Sequence, residues 1–419
     1  MAKFRIEGGH PLNGIIKTAG NKNAALPIIA ATALTTETCL LKNVPEIRDV
    51  HVMLNLLRNL GKTVSRIKSS VYEISGQIQN NRLPRDLAGN LRASILLIGG
   101  FLPVTKEIIL PPPGGCVIGR RKMDTHFDVV KAFGGKVVLS EDDFILQASK
   151  LNPGHVLLME ASVTATGNAL LLSSAIEGKS VIENAACEPH IADLCQVLVK
   201  MGAKIDGIGS NRLQIRGNTK LHGFEHSVVP DHIEAGTFAI ASASLNSSLI
   251  IQDAVKSHLQ MTILHLNRMN VKAEFKDDNT LSIQPSKLIS RSGKIQVGVW
   301  PAFPTDLMSP MIVLATQAEG MTLCHDWMYE SRMFFVDKLS IMGANIIQCD
   351  PHRVIVHGPT PLKGQELSSP DIRAGIALVI AAMIAHGTSI IDRAELIDRG
   401  YEQIDKRFSA IGAKIERIN

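Results

Sequence analysis

The sequence predicts an α/β fold of two domains, each built from three repeated βα units, and three observations predict it. A short pattern recurs six times, in which a helix closes on an apolar residue and Gly or Asn and a strand follows. Ahead of each copy lies a second helix made of small and apolar residues. Six such units divide naturally into three and three, with a boundary near Val228-Val229-Pro230-Asp231. Internal repetition of this kind is the first thing to read in a chain of 419 residues, which is long enough for two or more hydrophobic cores.

The helix closures read Asn59-Leu60-Gly61-Lys62, Ala132-Phe133-Gly134-Gly135, Lys200-Met201-Gly202-Ala203, Arg268-Met269-Asn270-Val271, Ile341-Met342-Gly343-Ala344 and Ala410-Ile411-Gly412-Ala413. Gly or Asn just past a helix supplies the left-handed cap that other residues resist. Strands are plain after two of them, in Lys136-Val137-Val138-Leu139 and Asn345-Ile346-Ile347. The preceding helices are expected at Ala24 to Leu34, Ala93 to Ile98, Gly167 to Ala175, Ala235 to Ala243, Leu307 to Ala315 and Ala374 to Ala385. They are apolar on every side, so they should be buried. The domains are expected at 21–229 and at 1–20 with 230–419, since the first strand, Lys3 to Ile6, can pair with the second domain.

Polar residues gather where these buried helices start: Lys22 and Asn23, Arg92, Ser162 and Thr164, Asp231 and Glu234, Asp306, then Asp371 and Arg373. Capping of the helix amides accounts for Ser162, Asp231, Asp306 and Asp371. It does not account for Lys22, Arg92 or Arg373, because a cation at a helix N-terminus opposes the dipole. Three such cations imply a bound anion, which helix N-termini also favour.

A stiff-rooted loop between Leu110 and His126 adds a reactive candidate. Three prolines precede Gly114-Gly115-Cys116, and Gly119 with Arg120, Arg121 and Lys122 follows. Surrounding cations favour thiolate over thiol, so Cys116 could deliver or accept a proton once substrate is bound. An incidental surface cysteine is the blander reading. The other five cysteines show no metal or redox spacing, and Cys187 and Cys195 read as inert. No metal and no cofactor is expected.

Composition narrows the rest. Hydrophobic residues make up 45% and charged residues 20%, which excludes general disorder. The longest apolar run, Ala374 to Ala385, is too short to span a bilayer, and the N-terminus lacks a signal-peptide core. A cytoplasmic location, no membrane partner and no disulfides are therefore expected. The net charge of +5 comes without a basic block interleaved with aromatics, so nucleic acid is not expected and small anions are. His126 reads equally as a structural histidine or a phosphate contact. His190, His232 and His325 read as surface or capping residues, and Trp300 and Trp327 as packing residues.

Five motifs carry a resemblance across essentially the whole chain: Gly20-Asn21-Lys22-Asn23-Ala24-Ala25-Leu26-Pro27, Leu91-Arg92-Ala93-Ser94, Pro113-Gly114-Gly115-Cys116, Pro301-Ala302-Phe303-Pro304-Thr305-Asp306 and Asp398-Arg399-Gly400-Tyr401. With them the chain resembles the enolpyruvyl transferases, in particular the branch acting on UDP-N-acetylglucosamine rather than on shikimate 3-phosphate. The resemblance implies two inside-out α/β barrel domains, each with threefold internal repetition. It implies transfer of the enolpyruvyl group of phosphoenolpyruvate to the sugar 3-hydroxyl, with phosphate released, by an enzyme for which a monomer is favoured. Lys22, Arg121 and Arg399 would hold phosphoenolpyruvate, with Arg92 and Arg373 lining the same pocket. Asn23 would bind the amino sugar, Asp306 would take the hydroxyl proton, and Asp371 would support its movement. Cys116 would be the general acid and the residue alkylated by fosfomycin. Ser162, Val163 and His126 would approach the nucleotide, and Met328 the sugar pocket.

The chain departs from the family pattern around the nucleotide. Glu160 stands where a lysine is usual, Thr164 where a glycine is usual, and Lys122 where a proline is usual. Cys187-Glu188-Pro189 and Trp327-Met328-Tyr329-Glu330-Ser331-Arg332 also replace commoner sequences. A different sugar nucleotide or hydroxyl acceptor therefore stays open as a second reading. So, less strongly, does a catalytically silent sugar-nucleotide-binding protein, which would have no use for both an acid and a base.

Overall fold

The computed structural model describes residues 2–114, 119, 122–140, 142–291 and 293–418. These fall into two compact units. One joins the N-terminal segment up to Ala19 with the chain from Pro230 onward; the other spans Gly20 to Val229, leaving aside residues 115–121.

All six predicted caps are left-handed. Gly61, Gly134, Gly202, Gly343 and Gly412 have φ between +85° and +114°, and Asn270 has φ +62°. Each closes an outer helix: Arg48–Asn59, Asp124–Ala132, Pro189–Lys200, Lys256–Arg268, Val336–Ile341 and Ile404–Ala410. A strand follows every cap, and it turns back through a hairpin in five of the six repeats. The hairpin partner then pairs antiparallel with the strand that leaves the buried helix. In the first repeat Thr63–Lys68 pairs with Val71–Ser75, and that strand pairs with Cys39–Lys42. A fourth strand, Glu225–Ser227, lies parallel on the far edge.

Among the described residues, five sheets have this four-stranded order and the sixth has three strands. In that smaller sheet a single parallel bridge, Arg82 to Ile109, occupies the place of the fourth strand. In the last repeat the strand after the cap is Lys414–Ile418, and no hairpin follows it among the described residues. Its middle strand is Lys3–Glu7, which pairs antiparallel with both Thr388–Asp392 and Lys414–Ile418. The N-terminal strand thus completes the sixth repeat.

The inner helices are Lys22–Ala31, Leu97–Thr105 and Val163–Ser174 in one unit, and His232–Ser244, Met308–Thr316 and Ile372–Ile384 in the other. Within each unit the three pack on one another. They are buried along nearly their whole length, and the sheets lie outside them. Small residues permit this close approach. A Cβ on Gly99 would lie 2.9 Å from the backbone of Asn168, on a neighbouring inner helix. Each unit is therefore an inside-out α/β barrel in the sense that helices, not strands, fill its centre.

Two expectations need correction. The second inner helix is not confined to Ala93 to Ile98: Arg92–Leu96 forms a 3-10 turn, and the helix proper runs Leu97–Thr105. Gly99, Gly100 and Pro103 masked its length. His190 and His232 do not lie on the surface but are buried.

Candidate active site

In the unit that contains Pro230, the starts of two inner helices and Arg332 bring charged groups into one network. Asp306 lies in the 3-10 turn Thr305–Leu307, just before helix Met308–Thr316. Capping does not describe it. The N-cap positions there are Pro304 and Leu307, without side-chain bonds. Instead both carboxylate oxygens are held by guanidiniums. Arg332 Nη2 donates to Oδ1 at 3.1 Å, and Arg373 Nη2 donates to Oδ2 at 2.8 Å.

Arg373 is itself buried, and its Nη1 donates to the Tyr401 hydroxyl at 3.0 Å. That hydroxyl meets Thr237 Oγ1 at 3.0 Å, and Thr237 donates to the Ile233 carbonyl. Asp371 caps helix Ile372–Ile384, accepting from the amides of Arg373 and Ala374 at 2.7 and 3.1 Å. Its Oδ1 lies 4.0 Å from Arg332 Nη1. Burial works against the charge on Arg332, but Asp306, Asp371 and Asp326 outweigh it and raise its pKa. Arg373 is likewise pushed up, with Asp306 the leading carboxylate against burial. The two buried cations therefore keep their charges among these carboxylates, and a carboxylate held between them is preorganised for proton transfer or anion binding.

Arg399 is half-buried in the turn after helix Ala394–Ile397. Its neighbour Asp398 does not pair with it as a helix-end couple; both Asp398 oxygens accept from Arg417, at 2.7 and 2.9 Å. Met328 is half-buried against the core, and its amide donates to Asp326.

The other unit presents its polar residues separately. Asn21 caps helix Lys22–Ala31 by accepting from Ala24, which puts Lys22 and Asn23 in its first turn. Lys22 Nζ lies 2.7 Å from Asp49 Oδ2, and both side chains are largely buried. Arg92 opens its 3-10 turn and donates to the Lys122 carbonyl at 3.3 Å. Ser162 caps helix Val163–Ser174, and Val163 follows half-buried. Glu160 is exposed.

His126 is buried, with Asn168 Nδ2 2.9 Å from its Nδ1 and Thr164 Oγ1 3.2 Å from its Nε2. Asn168 Oδ1 accepts from Gly99 N, and its amide nitrogen also donates to the Ile95 carbonyl. The amide orientation is thereby fixed, so Nδ1 accepts and Nε2 carries the proton. Thr164, a departure from the family pattern, is thus the partner of the buried histidine.

Cys116 and Arg121 lie outside the described residues. The buried thiols of Cys39, Cys195 and Cys324 are pushed up to about 11, 12 and 12 by burial, the wrong direction for a nucleophile or acid at neutral pH. Burial also raises Cys187, with Glu188 adding to it. Among the described residues no group of three or more His, Cys, Asp or Glu is placed to hold a metal ion, and no helix is long and apolar enough to cross a membrane.

Sequence reasoning missed Asp49, Asp326 and the central position of Arg332. Asp49 carried no signal, since an acidic residue in the first turn of an outer helix ordinarily faces solvent, and this one is buried. Arg332 and Asp326 carried none, because their segment has no periodicity.

Comparison with known proteins matches this architecture. The EPSP synthase (3-phosphoshikimate 1-carboxyvinyltransferase) family fits residues 6–408. A UDP-N-acetylglucosamine 1-carboxyvinyltransferase of Treponema denticola is 46% identical over 424 residues, covering 99% of each chain. One from Bradyrhizobium diazoefficiens is 45% identical, covering 99% of this chain and 98% of the relative. Among solved structures, the enolpyruvyl transferase NikO from Streptomyces tendae superposes with a TM-score of 0.89 at 23% identity, over 99% of this chain and 98% of that one. EPSP synthase from Acinetobacter baumannii gives 0.78 at 18% identity over the whole of both chains. Likeness at these lower identities establishes the fold. The full-length relatives establish more, and the chain belongs to the enolpyruvyl transferase family.

Proposed function

We propose that the protein transfers the enolpyruvyl group of phosphoenolpyruvate to the 3-hydroxyl of UDP-N-acetylglucosamine and releases phosphate, the first committed step of peptidoglycan synthesis. The observation that carries this reading is 46% identity, end to end, to a protein named for that reaction. Asp306 supports it, as a carboxylate held between Arg332 and Arg373 in an otherwise buried network.

In this reading Lys22, Arg92, Arg121, Arg373 and Arg399 hold the anionic groups, and Asn23 binds the sugar. Asp306 takes the hydroxyl proton as oxygen adds to the enolpyruvyl carbon, and Asp371 assists. Cys116 is the general acid. Ser162, Val163 and Met328 meet the nucleotide sugar, while His126 acts behind them by fixing Thr164. The enzyme works as a cytoplasmic monomer with phosphoenolpyruvate and UDP-N-acetylglucosamine as its only partners, without metal or cofactor.

A different hydroxyl acceptor is the second reading. It is favoured by an exposed carboxylate, Glu160, just ahead of helix Val163–Ser174, where it would repel a diphosphate. The deciding experiment is phosphate release from phosphoenolpyruvate with UDP-N-acetylglucosamine, with shikimate 3-phosphate, or with no acceptor. Release only with the sugar nucleotide is expected. Silence with both acceptors, in folded protein that still binds phosphoenolpyruvate, would reject the first reading in favour of the second.

A further inference from the structure

Asp326 has no solvent exposure and belongs to none of the motifs that suggest chemistry. It directly follows strand Gly320–His325, and its backbone is clamped at both ends. Its amide donates to the His352 carbonyl at 2.9 Å, and its carbonyl accepts from His352 Nδ1 at 2.7 Å. His352 sits in the hairpin between Asn345–Asp350 and Arg353–Gly358, so the carboxylate starts from rigid scaffold.

From there it ties the turn before Asp306 to its own stretch, Asp326 to Arg332. Oδ2 accepts a close hydrogen bond from the Thr305 hydroxyl, immediately before Asp306. Oδ1 accepts from the Met328 amide at 3.0 Å. Arg332 Nε lies 4.0 Å from Oδ2, while the other end of that guanidinium holds Asp306. Burial raises the Asp326 pKa, against the Thr305 bond and the Arg332 charge that favour the ionised form. A buried carboxylate is costly unless its bonds are satisfied. A Leu or Asn of similar size would fill the space with no ionic demand, so packing alone does not explain an acid here.

We infer that Asp326 is a positioning residue for the reaction, a single buried anchor that sets the mutual placement of Asp306, Met328 and Arg332. This rests on the functional reading above. Two segments, the turn at Thr305–Asp306 and the stretch from Asp326 to Arg332, must agree for a carboxylate base to meet a hydroxyl at near-attack distance, and small misplacements are expensive in rate.

The test uses Asp326→Asn and Thr305→Val, with Thr305→Ser as the conservative control. Asp326→Asn should lower kcat roughly 10- to 100-fold, with KM for both substrates within about threefold of wild type. Thr305→Val should lower kcat roughly fivefold and Thr305→Ser should recover it, because only the hydroxyl tie differs. A merely structural role would lower the melting midpoint without changing kcat per folded molecule. Trp327, whose Nε1 donates to the Val297 carbonyl beside this segment, gives a readout that needs no turnover. In a Trp300→Phe background, Asp326→Asn should make Trp327 emission easier to quench.

Wild-type kcat in folded Asp326→Asn and Thr305→Val would overturn the inference, whatever the fluorescence shows. If the wild-type protein released phosphate with neither acceptor, the functional reading would fail on its own. Trp327 quenching would then decide the anchor, and an unchanged signal would sink it.

Discussion

The two units solve the same folding problem with the same three-part device, yet they treat charge at their inner helix starts differently. In the unit containing Pro230, Asp306, Asp371, Arg373 and Arg332 are knitted into one buried network closed by Tyr401 and Thr237. In the other, Lys22 pairs with Asp49, Arg92 touches a carbonyl, and His126 turns to Thr164 and Asn168. The first arrangement fixes a carboxylate in place before any substrate arrives. The second places Lys22 and Arg92 each at its own inner-helix start, where each can be assigned its own ligand contact. Proton transfer needs the former and anion capture tolerates the latter.

The largest effect should follow removal of the carboxylate at the centre of the network. Asp306→Ala is expected to lower kcat by about 10³-fold, in line with loss of a general base, with substrate binding largely kept. Calorimetric binding beside a phosphate-release assay would show this, and near-normal turnover would remove Asp306 as the base. Lys22→Met should strike binding instead, with kcat/KM for phosphoenolpyruvate down roughly 10²-fold. It also takes from Asp49 a cation 2.7 Å away, at a cost of roughly 3 kcal/mol. Lys22→Met with Asp49→Leu should regain much of that stability and none of the activity. Recovery of both would mean that Lys22 is there for the fold alone.

These contrasts mark how far the sequence could be read. The six caps and the inner helices were legible because glycine past a helix and an all-round apolar pattern have direct backbone and burial causes, and each left-handed cap is where the pattern put it. The charged helix starts were legible for the same reason, since Lys22, Arg92 and Arg373 oppose the dipole. What each charge meets was not legible. Asp306 looked like a cap and is an ion-pair partner. Thr164 looked like a departure from a usual glycine and is a hydrogen-bond partner of His126. Asp326 and Arg332 lie in a stretch with no regular period, and only the fold brings them to Thr305 and Asp306.

The comparison extends to acid stability. His232 is buried, and burial, with His258 and Arg373 adding and Asp306 opposing, lowers its pKa to about 3. His265 is lowered to about 4, chiefly by burial. Both stay neutral in the folded protein while the unfolded chain takes up protons near pH 6.5. Stability is then flat in these two groups above pH 6.5 and falls as pH drops from 6.5 toward 3 to 4. His232→Gln should flatten that fall by about one proton's worth of slope, or roughly 1.4 kcal/mol per pH unit. Urea midpoints between pH 4.5 and 7 measure it, and parallel curves for mutant and wild type would refute it.

The smallest effect distinguishes the caps. Gly202 in one unit has φ +114°, and a Cβ there would meet nothing nearer than Asn218 Nδ2 at 3.6 Å. Gly202→Ala therefore tests backbone strain without a clash and should cost about 1 kcal/mol. Asn270 holds the equivalent place in the other unit at φ +62°. Its Oδ1 accepts from Arg291 at 2.7 Å, and its Nδ2 donates to the Lys287 carbonyl at 2.7 Å. Asn270→Gly relieves the left-handed backbone but gives up two exposed hydrogen bonds, so the two terms should cancel to within about 0.5 kcal/mol. Both variants should turn over normally, because neither cap belongs to the network around Asp306 or to the Lys22 pair. If Asn270→Gly proved clearly destabilising, its side chain would be bracing the segment between Lys287 and Arg291. The fourth repeat would then be closed by polar contacts, whereas its counterpart at Gly202 depends only on glycine's conformational freedom.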